Sequence, residues 1–119
     1  MNENELILIP KYENFIEYML QVIMKLPRTE KFNIGNEFKI SMYETIEKIL
    51  YLGKIESNKR MYYLNLLDTK INYQRIYLRI MYKNKWIDNK KYEVSCRLLL
   101  EVGKILGGLI KFYGKNPKK

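Results

Sequence analysis

Three basic side chains recur every four residues in the second half of the chain, at Arg75, Arg79 and Lys83. On an α-helix this spacing places the three in one row on the surface. Like charges so placed repel each other by about 0.2–0.5 kcal/mol per pair unless an anion lies between them. The phosphates of a nucleic acid supply such anions at regular intervals. The row therefore predicts a binding site for a phosphate backbone.

Aromatic side chains accompany this row: Tyr73, Tyr77 and Tyr82 flank it, and Trp86 follows it. Cations interleaved with rings suit single-stranded nucleic acid, because the cations hold phosphates while unstacked bases lie on the rings. In the alternative interpretation the tyrosines cover the edge of a core and the cations are only solvated. We favour the nucleic-acid interpretation.

The charged residues are distributed unevenly along the chain, whose net charge is +9. Residues 1–58 carry 7 Lys/Arg against 9 Asp/Glu, a net charge of −2. Residues 59–119 carry 15 Lys/Arg against 4 Asp/Glu, a net charge of +11. A half-chain this basic implies a polyanionic partner, most often RNA or DNA. A lysine-rich surface from an AT-biased coding sequence is the alternative, but that bias should affect both halves equally.

Two further groups of cations extend the predicted nucleic-acid site. Lys104 and Lys111 lie on the polar strip of the last helical segment, and Arg28 and Lys31 follow Pro27. The second pair lies beside the N-terminus of the following helix, whose dipole also attracts anions. We include all four residues in the predicted site.

The residues that most catalytic and metal sites need are missing. The chain has no histidine and one cysteine, Cys96, which lies on an apolar stripe and is expected to be an inert core residue. Glu44 and Glu47 have the spacing by which helical bundles hold Mg²⁺ in nucleotide pyrophosphohydrolases. No second acidic pair repeats it, so we expect these two to pair with Lys48 on a solvated face. The sequence predicts no enzyme, no metal and no cofactor, with a carboxylate hydrolase as the enzymatic alternative.

Four amphipathic segments, with apolar residues three and four apart, must position these side chains. The first runs to Leu26 and stops at Pro27, the second and third follow the N-cap candidates Asn33 and Ser57, and the fourth begins near Asp88. Helices of similar length joined by short loops form an up-down-up-down bundle. We therefore predict an all-α four-helix bundle in one domain, residues 1–119, with a frayed basic tail at about 114–119.

The location follows from what the segments lack. The first residues have no basic stretch before the short apolar run that ends at Pro10, which argues against a secretion signal. No run of about 18 uncharged apolar residues predicts a membrane span. The single cysteine fits a reducing compartment. We expect a cytoplasmic protein without a membrane partner.

Two features predict packing beyond a simple bundle. Gln74 interrupts the apolar seam of the third segment, either as a buried residue that fixes register or subunit pairing, or exposed on a slightly rotated helix. Gly103 and Gly107 form a groove of small residues in line with Cys96. A helix of the same subunit or of another can approach closely along this groove.

The last segment also has more apolar surface than one bundle needs. Its first stripe comprises Tyr92, Leu99, Leu106, Ile110 and Tyr113, and its second comprises Val94, Leu98, Val102, Ile105, Leu109 and Phe112. Two stripes indicate that the helix is covered from two directions. We therefore predict a homo-oligomer with packing at Gly103, Gly107, Leu98, Val102, Ile105 and Leu109.

Two stretches resemble a known family. "LPRTEKFNIGNEF" (Leu26–Phe38) and "LLLEVGKILGGLIK" (Leu98–Lys111) are similar to motifs in the accessory variability determinant proteins of diversity-generating retroelements. The resemblance spans about Ile9 to Phe112. In the first motif Lys31, Ile34 and Gly35 match; in the second the matching residues are Glu101, Gly103, Lys104, Gly107, Gly108 and Lys111.

The resemblance implies a four-helix bundle that assembles as a homopentameric barrel. It implies binding of RNA or DNA without strong sequence preference, association with the retroelement's reverse transcriptase and a role in mutagenic retrohoming. Leu109 departs from the tryptophan that the family often has after the double glycine. Bundles encoded by intervening sequences of bacterial 23S ribosomal RNA genes share the architecture, but "YLGKIES" stands in place of their characteristic turn. A bundle that docks an acidic protein without binding nucleic acid is the other alternative.

Overall fold

The computed structural model describes residues 3–115, which fold into helices and connecting turns. The helices are α1 (Glu3–Met24), the single-turn α2 (Arg28–Lys31), α3 (Ile34–Tyr51), α4 (Arg60–Lys83) and α5 (Asn89–Lys115). Two 3₁₀ turns, Leu52–Lys54 and Ser57–Lys59, connect α3 to α4. The predicted all-α class with four long helices is confirmed. Gly114 and Lys115, from the predicted tail, continue α5, and the rest of that tail lies outside the described residues.

Each long helix packs against two others: α1 against α3 and α5, and α4 against α3 and α5. Glu5 near the start of α1 meets Arg60 at the start of α4 and Tyr113 at the end of α5. α1 and α4 therefore run in one direction and α5 in the other, and the short connections reverse α3 as well. The bundle measures 48 × 22 × 20 Å. Within residues 3–115 no helix has the length and apolar character to cross a bilayer.

The helix ends follow local chemistry in part. The Lys91 N–H donates a 2.8 Å hydrogen bond to Asp88 Oδ1, so Asp88 caps α5 at the predicted place. Asn33 occupies the predicted N-cap position of α3, although its side chain makes no capping hydrogen bond. The predicted cap Ser57 is wrong, because Ser57 lies in a 3₁₀ turn that precedes α4. α1 also starts well before the predicted stripe, because Leu8 extends the buried face toward the N-terminus.

α5 buries one broad face, which lies between the two predicted stripes. Its buried residues are Ser95, Leu99, Val102, Leu106, Leu109 and Tyr113. Members of both stripes thus face the same core, and their assignment to two separately covered stripes is wrong. Ser95 contributed to this error, because both predicted stripes contain only apolar and aromatic residues and a serine lies on the core line.

Gln74 is fully buried and joins three helices through a polar network. The Tyr12 O–H donates to Gln74 Oε1 at 2.7 Å. Gln74 Nε2 donates to Ser41 Oγ at 3.0 Å and to Thr45 Oγ1 at 3.1 Å. Burial raises the pKa of the Tyr12 hydroxyl far above its ordinary value, so the phenol stays protonated as a donor. Of the two alternatives for Gln74, the buried one is correct, and its partners belong to the same chain.

A buried ion pair closes the opposite end of the bundle from Pro27. Arg60 Nη1 lies 2.6 Å from Glu5 Oε1 and donates to the Leu52 carbonyl at 3.3 Å. The Tyr113 O–H donates to the same Glu5 oxygen at 3.2 Å, and the Arg60 guanidinium lies 4.8 Å from the Tyr113 ring centroid. Glu5 is only 2% exposed. This cluster ties α1, α4 and α5 together.

Gly35 lies too close to its neighbours for a side chain to fit without a shift. An added Cβ would lie 2.9 Å from Ile23 Cγ2 and 3.2 Å from the Glu30 carbonyl oxygen. We predict that Gly35→Ala lowers the free energy of unfolding by about 1–3 kcal/mol through overpacking, measured by urea denaturation. Gly108→Ala is the matched control, because nothing lies within 4 Å of its added Cβ, and it should raise stability by about 0.5–1 kcal/mol. Stabilisation by both changes would contradict the close packing at Gly35.

Candidate nucleic-acid interface

A groove between α4 and α5 brings together two members of the predicted basic row. Arg75 and Arg79 line it from α4, and Arg97 lines it from α5. Its volume is about 360 Å³, and the other lining residues are Tyr92, Cys96 and Leu100. Three guanidinium groups therefore surround a largely apolar floor. We call this feature the arginine groove.

Helical periodicity explains how the two α4 arginines reach the arginine groove. Gln74 and Leu78 point into the core, so the residue after each lies at the edge of the buried face. Gly103 of α5 makes room for Arg75, because an added Cβ would overlap Arg75 Nη2. Contact with Arg75 of the same subunit therefore accounts for the presence of Gly103 in α5.

The arginine groove carries positive charge that described carboxylates do not neutralise. The ion pairs within residues 3–115 involve other side chains, and none includes Arg75, Arg79 or Arg97. Arg75 Nη1 donates a 2.8 Å hydrogen bond to Asn72 Oδ1, which orients the guanidinium without removing its charge. Guanidinium groups remain protonated at every physiological pH. Three permanent charges are therefore available to an anion.

Cys96 lies half-buried in the floor of the arginine groove. Burial raises the pKa of its thiol above the ordinary value, and the nearby charges of Arg75 and Arg79 oppose this only in part. The thiol is the weakly nucleophilic form of cysteine. Cys96 therefore acts here as a small apolar contact, at a surface groove instead of the core.

The aromatic residues of α4 divide between two sides of the helix. Tyr77 contacts Phe38 of α3 with ring centroids 5.6 Å apart, and Tyr73 packs on Tyr77 at 4.6 Å. Tyr77 therefore lies toward α3, and Tyr73 packs on its solvent side and is 49% exposed. Neither ring lines the arginine groove, so the prediction that they flank the row is wrong. Tyr82 stacks on Tyr92 of α5 at 4.3 Å, with ring planes 6° apart. Of the three tyrosines, only Tyr82 lies beside basic residues, in a cleft that Lys83 and Trp86 also line.

Lys83 lies away from the arginine groove, in a cleft at the end of the bundle. Positions i and i+8 of an α-helix differ by about 80° around the axis, so a row of three is not straight. The cleft is also lined by Lys25, Lys85 and Lys91. The predicted single row is therefore wrong at its third member, which belongs to a second basic region.

The other predicted cations fall into the same two regions. Lys104 and Lys111 are exposed on α5, four and eleven residues after Leu100, and so share the outer face beside the arginine groove. Arg28 and Lys31 belong to α2, at the end of the bundle that also contains Lys83. Contact of these residues with nucleic acid stays a prediction.

We call this end of the bundle, residues 24–34 and 82–92, the basic end. It carries seven Lys/Arg against two Asp/Glu, a net charge of +5 out of +9 for the chain. The up-down topology produces this concentration, because it brings the α1–α3 and α4–α5 connections to one end. Sequence reasoning treated the two connections separately and therefore did not predict a joint patch.

The predicted packing residues of α5 differ in environment. Val102 and Leu109 are buried in the chain's own core, and Leu98 and Ile105 are half-buried at its edge. Gly107 is exposed, with open space where a side chain would be. Gly107 is therefore the member of the set most accessible to a second copy, and contact between copies there stays a prediction.

Glu44 pairs with a different lysine from the one that the sequence predicts. Lys70 of α4 lies 2.9 Å from Glu44 Oε1, and its hydrogen bond and charge lower the pKa of that carboxyl. Lys70 is the main partner because α4 brings it close, and the charge of the predicted partner, Lys48, lowers the same pKa to a smaller extent. Within residues 3–115 no group of three or more His, Cys, Asp or Glu side chains is arranged to hold a metal ion.

Two basic residues of these regions were missed at the sequence level. Arg97 lies on the polar strip of α5, and its relation to Arg79 depends on how α4 and α5 align. Lys85 lies in the α4–α5 connection with φ of 61°, in a stretch without periodicity. The net positive charge of this connection was the only sequence feature that could have pointed to Lys85.

A comparison with protein families supports the resemblance drawn from the two motifs. The family model described as bAvd-like matches residues 6–113. The match covers α1 through nearly all of α5, including the arginine groove and the basic end. No curated protein and no solved structure matches the chain.

Proposed function

The chain belongs to the bAvd-like family, and from this we propose that it is an accessory protein of a diversity-generating retroelement. In this role it binds RNA or DNA with little sequence preference and associates with the element's reverse transcriptase in the cytoplasm. It supports mutagenic retrohoming without catalysing a reaction itself.

The observation that carries the nucleic-acid part of this proposal is the arginine groove. Its three guanidinium groups have no described carboxylate partner, and the apolar floor at Cys96 and Leu100 suits a base or sugar. Arginine forms bidentate contacts to phosphate, which a solvated surface lysine does not. Lys104 and Lys111 extend the positive surface along α5.

A salt titration tests nucleic-acid binding. Binding to mixed-sequence single-stranded RNA, single-stranded DNA and duplex DNA is measured by fluorescence anisotropy between low and high salt. We expect log K to fall linearly with log salt, by about 0.7–0.9 per phosphate contact. An acidic protein with a net negative charge similar to that of the nucleic-acid probes serves as the comparison partner. Binding to that protein alone would favour the docking alternative and contradict the proposal.

Assembly into a homopentamer is the second part of the proposal. The outer face of α4 supports it, because apolar side chains there are 38–68% exposed: Tyr62, Tyr73, Ile76 and Ile80. Such a strip is typical of surfaces that another protein covers. Repetition of the arginine groove around a ring would also strengthen polyanion binding through multivalency.

Sedimentation velocity tests this assembly. We expect the wild-type protein to sediment as a species several times larger than the 14.5 kDa chain. Gln at both Ile76 and Ile80 should shift it toward the monomer if α4 forms the seam. Gly107→Ala should do so if the seam lies along α5. A 14.5 kDa species alone at micromolar concentration would contradict the assembly.

Association with a reverse transcriptase is tested by co-purification. The tagged chain and the reverse transcriptase encoded beside it are expressed together, and the complex is isolated with and without nuclease. We expect a complex that survives nuclease treatment. Loss of the enzyme after nuclease would contradict direct association.

A further inference from the structure

A large cleft lies at the basic end of the bundle. It has a volume of about 790 Å³ and is formed by the last turns of α1 and α4, the connection 84–88 and the first turn of α5. Its lining residues are Val22, Lys25, Tyr82, Lys83, Lys85, Trp86, Ile87, Asp88, Asn89 and Lys91. Small-molecule sites typically have volumes of about 300–1,000 Å³. The cleft is therefore larger than an inorganic phosphate needs.

The charge of this cleft favours an anion. Four lysines line it against one aspartate, and that aspartate is already engaged. The Lys91 N–H donates to Asp88 Oδ1, and Lys91 Nζ lies 3.4 Å from Oδ2. The hydrogen bond from the Lys91 N–H is the main reason that the pKa of the Asp88 carboxyl is lowered. Among the described residues no carboxylate pairs with Lys25, Lys83 or Lys85.

Two aromatic rings give the cleft flat apolar walls. Trp86 is half-buried, and Tyr82 is 37% exposed. Tyr82 is held in place, because its ring stacks on Tyr92 and its O–H donates to Asn89 Oδ1. A ring fixed in this way offers a surface on which a planar base can stack with little loss of side-chain entropy.

The backbone of the connection is held in an uncommon conformation. Lys85 has φ of 61°, a region that glycine and asparagine adopt far more often than lysine. The Lys85 N–H donates to the Tyr82 carbonyl at 3.0 Å, and the Trp86 N–H donates to the Met81 carbonyl at 2.9 Å. These two bonds close α4 and hold Lys85 and Trp86 side by side in the lining of the cleft.

We propose that the cleft of the basic end binds a nucleoside phosphate. The base stacks against Trp86 and Tyr82, and the phosphates contact Lys25, Lys83 and Lys85. The same chemistry is found in a free nucleotide and in the phosphorylated terminal nucleotide of a single strand. This site is separate from the arginine groove and does not depend on it.

Trp86 is the chain's one tryptophan, so its fluorescence reports directly on the cleft. The probes are adenosine 5′-triphosphate, adenosine, inorganic tripolyphosphate and a thymidine tetranucleotide with or without a 5′-phosphate. We expect the triphosphate or the 5′-phosphorylated tetranucleotide to quench Trp86, adenosine to leave it unchanged and tripolyphosphate to bind more weakly. Quenching by the free nucleotide alone identifies a nucleotide site. Stronger binding of the tetranucleotide with the 5′-phosphate than without it identifies a strand end.

Lys83→Gln with Lys85→Gln should weaken this binding about tenfold or more, because two charged contacts to phosphate are lost. Lys39→Gln with Lys54→Gln removes the same charge elsewhere and should change the affinity for the nucleotide less than twofold.

Trp86→Phe keeps an aromatic ring but loses the fluorescent one, so its nucleotide binding is measured by calorimetry. It should be weaker severalfold. Gln at Arg75 and Arg79 should leave mononucleotide binding intact even if it abolishes binding of long RNA. Absence of quenching by every phosphorylated probe, or equal effects of the two lysine pairs, would overturn the proposal.

Discussion

Arg60→Met is expected to lower the free energy of unfolding by about 3–5 kcal/mol, because it removes the cation that pairs with a buried carboxylate. Glu5 is 2% exposed, and Arg60 Nη1 lies 2.6 Å from its Oε1. The same guanidinium also contacts the Leu52 carbonyl and the Tyr113 ring. Urea denaturation followed by circular dichroism measures the change.

A double variant separates the ion pair from simple packing. Glu5→Leu with Arg60→Met replaces both charges by apolar groups, so it should be more stable than Arg60→Met alone. Arg28→Met is the control, because Arg28 is exposed on α2 and its loss should change stability by no more than about 0.5 kcal/mol. The single variant Glu5→Leu completes the comparison. A double variant whose loss of stability equals the sum of the losses in Glu5→Leu and Arg60→Met would contradict a coupled pair.

Gln74→Leu is the second large expected effect, a loss of about 2–4 kcal/mol. The substitution deprives two buried groups of partners, at about 1–3 kcal/mol each. The Tyr12 O–H loses its acceptor, and Ser41 Oγ loses its donor. Tyr12→Phe in the Gln74→Leu background should recover part of the loss, because it removes the stranded hydroxyl. A double variant that is less stable than Gln74→Leu alone would show that the network does not act as a unit.

The sequence predicted the helices well wherever apolar spacing was regular. Phe38, Met42 and Ile49 form the buried face of α3, as their spacing indicates, and Pro27 and Asp88 mark real boundaries. α5 was harder, because the consecutive Leu98, Leu99 and Leu100 fit several faces equally. Only packing against α1 and α4 selects the face with Leu99 at its centre.

Contacts between distant residues were not predictable in the same way. Glu5 and Arg60 are 55 residues apart, and no local pattern links them. Gln74 had two open alternatives, because its burial depends on hydroxyls contributed by α1 and α3. A polar residue on an apolar seam shows that a choice exists, but the partners decide which outcome is stable.

Two members of the predicted basic row lie together in the arginine groove, but the arrangement of the other cations was not predictable. Arg75 and Arg79 lie together because one helical turn separates them. Arg97 lies in the same groove only because α4 and α5 are aligned side by side. Lys83 lies outside the groove, because eight residues of α-helix rotate it away from Arg75. The basic end depends on topology, which brings two connections together that are about 60 residues apart in sequence.

The central claim is that phosphates bind at the arginine groove, and the salt dependence of single-stranded RNA binding tests it most directly. Wild-type protein is compared with Arg75→Gln/Arg79→Gln and with the control Lys39→Gln/Lys54→Gln. Neither control lysine belongs to an ion pair within residues 3–115, and both pairs of changes remove two charges. The claim predicts that the arginine variant flattens the log K against log salt slope by about 1.4, since each lost contact contributes about 0.7, while the control keeps nearly the wild-type slope. A wild-type slope in the arginine variant, or the same flattening in both variants, would contradict it.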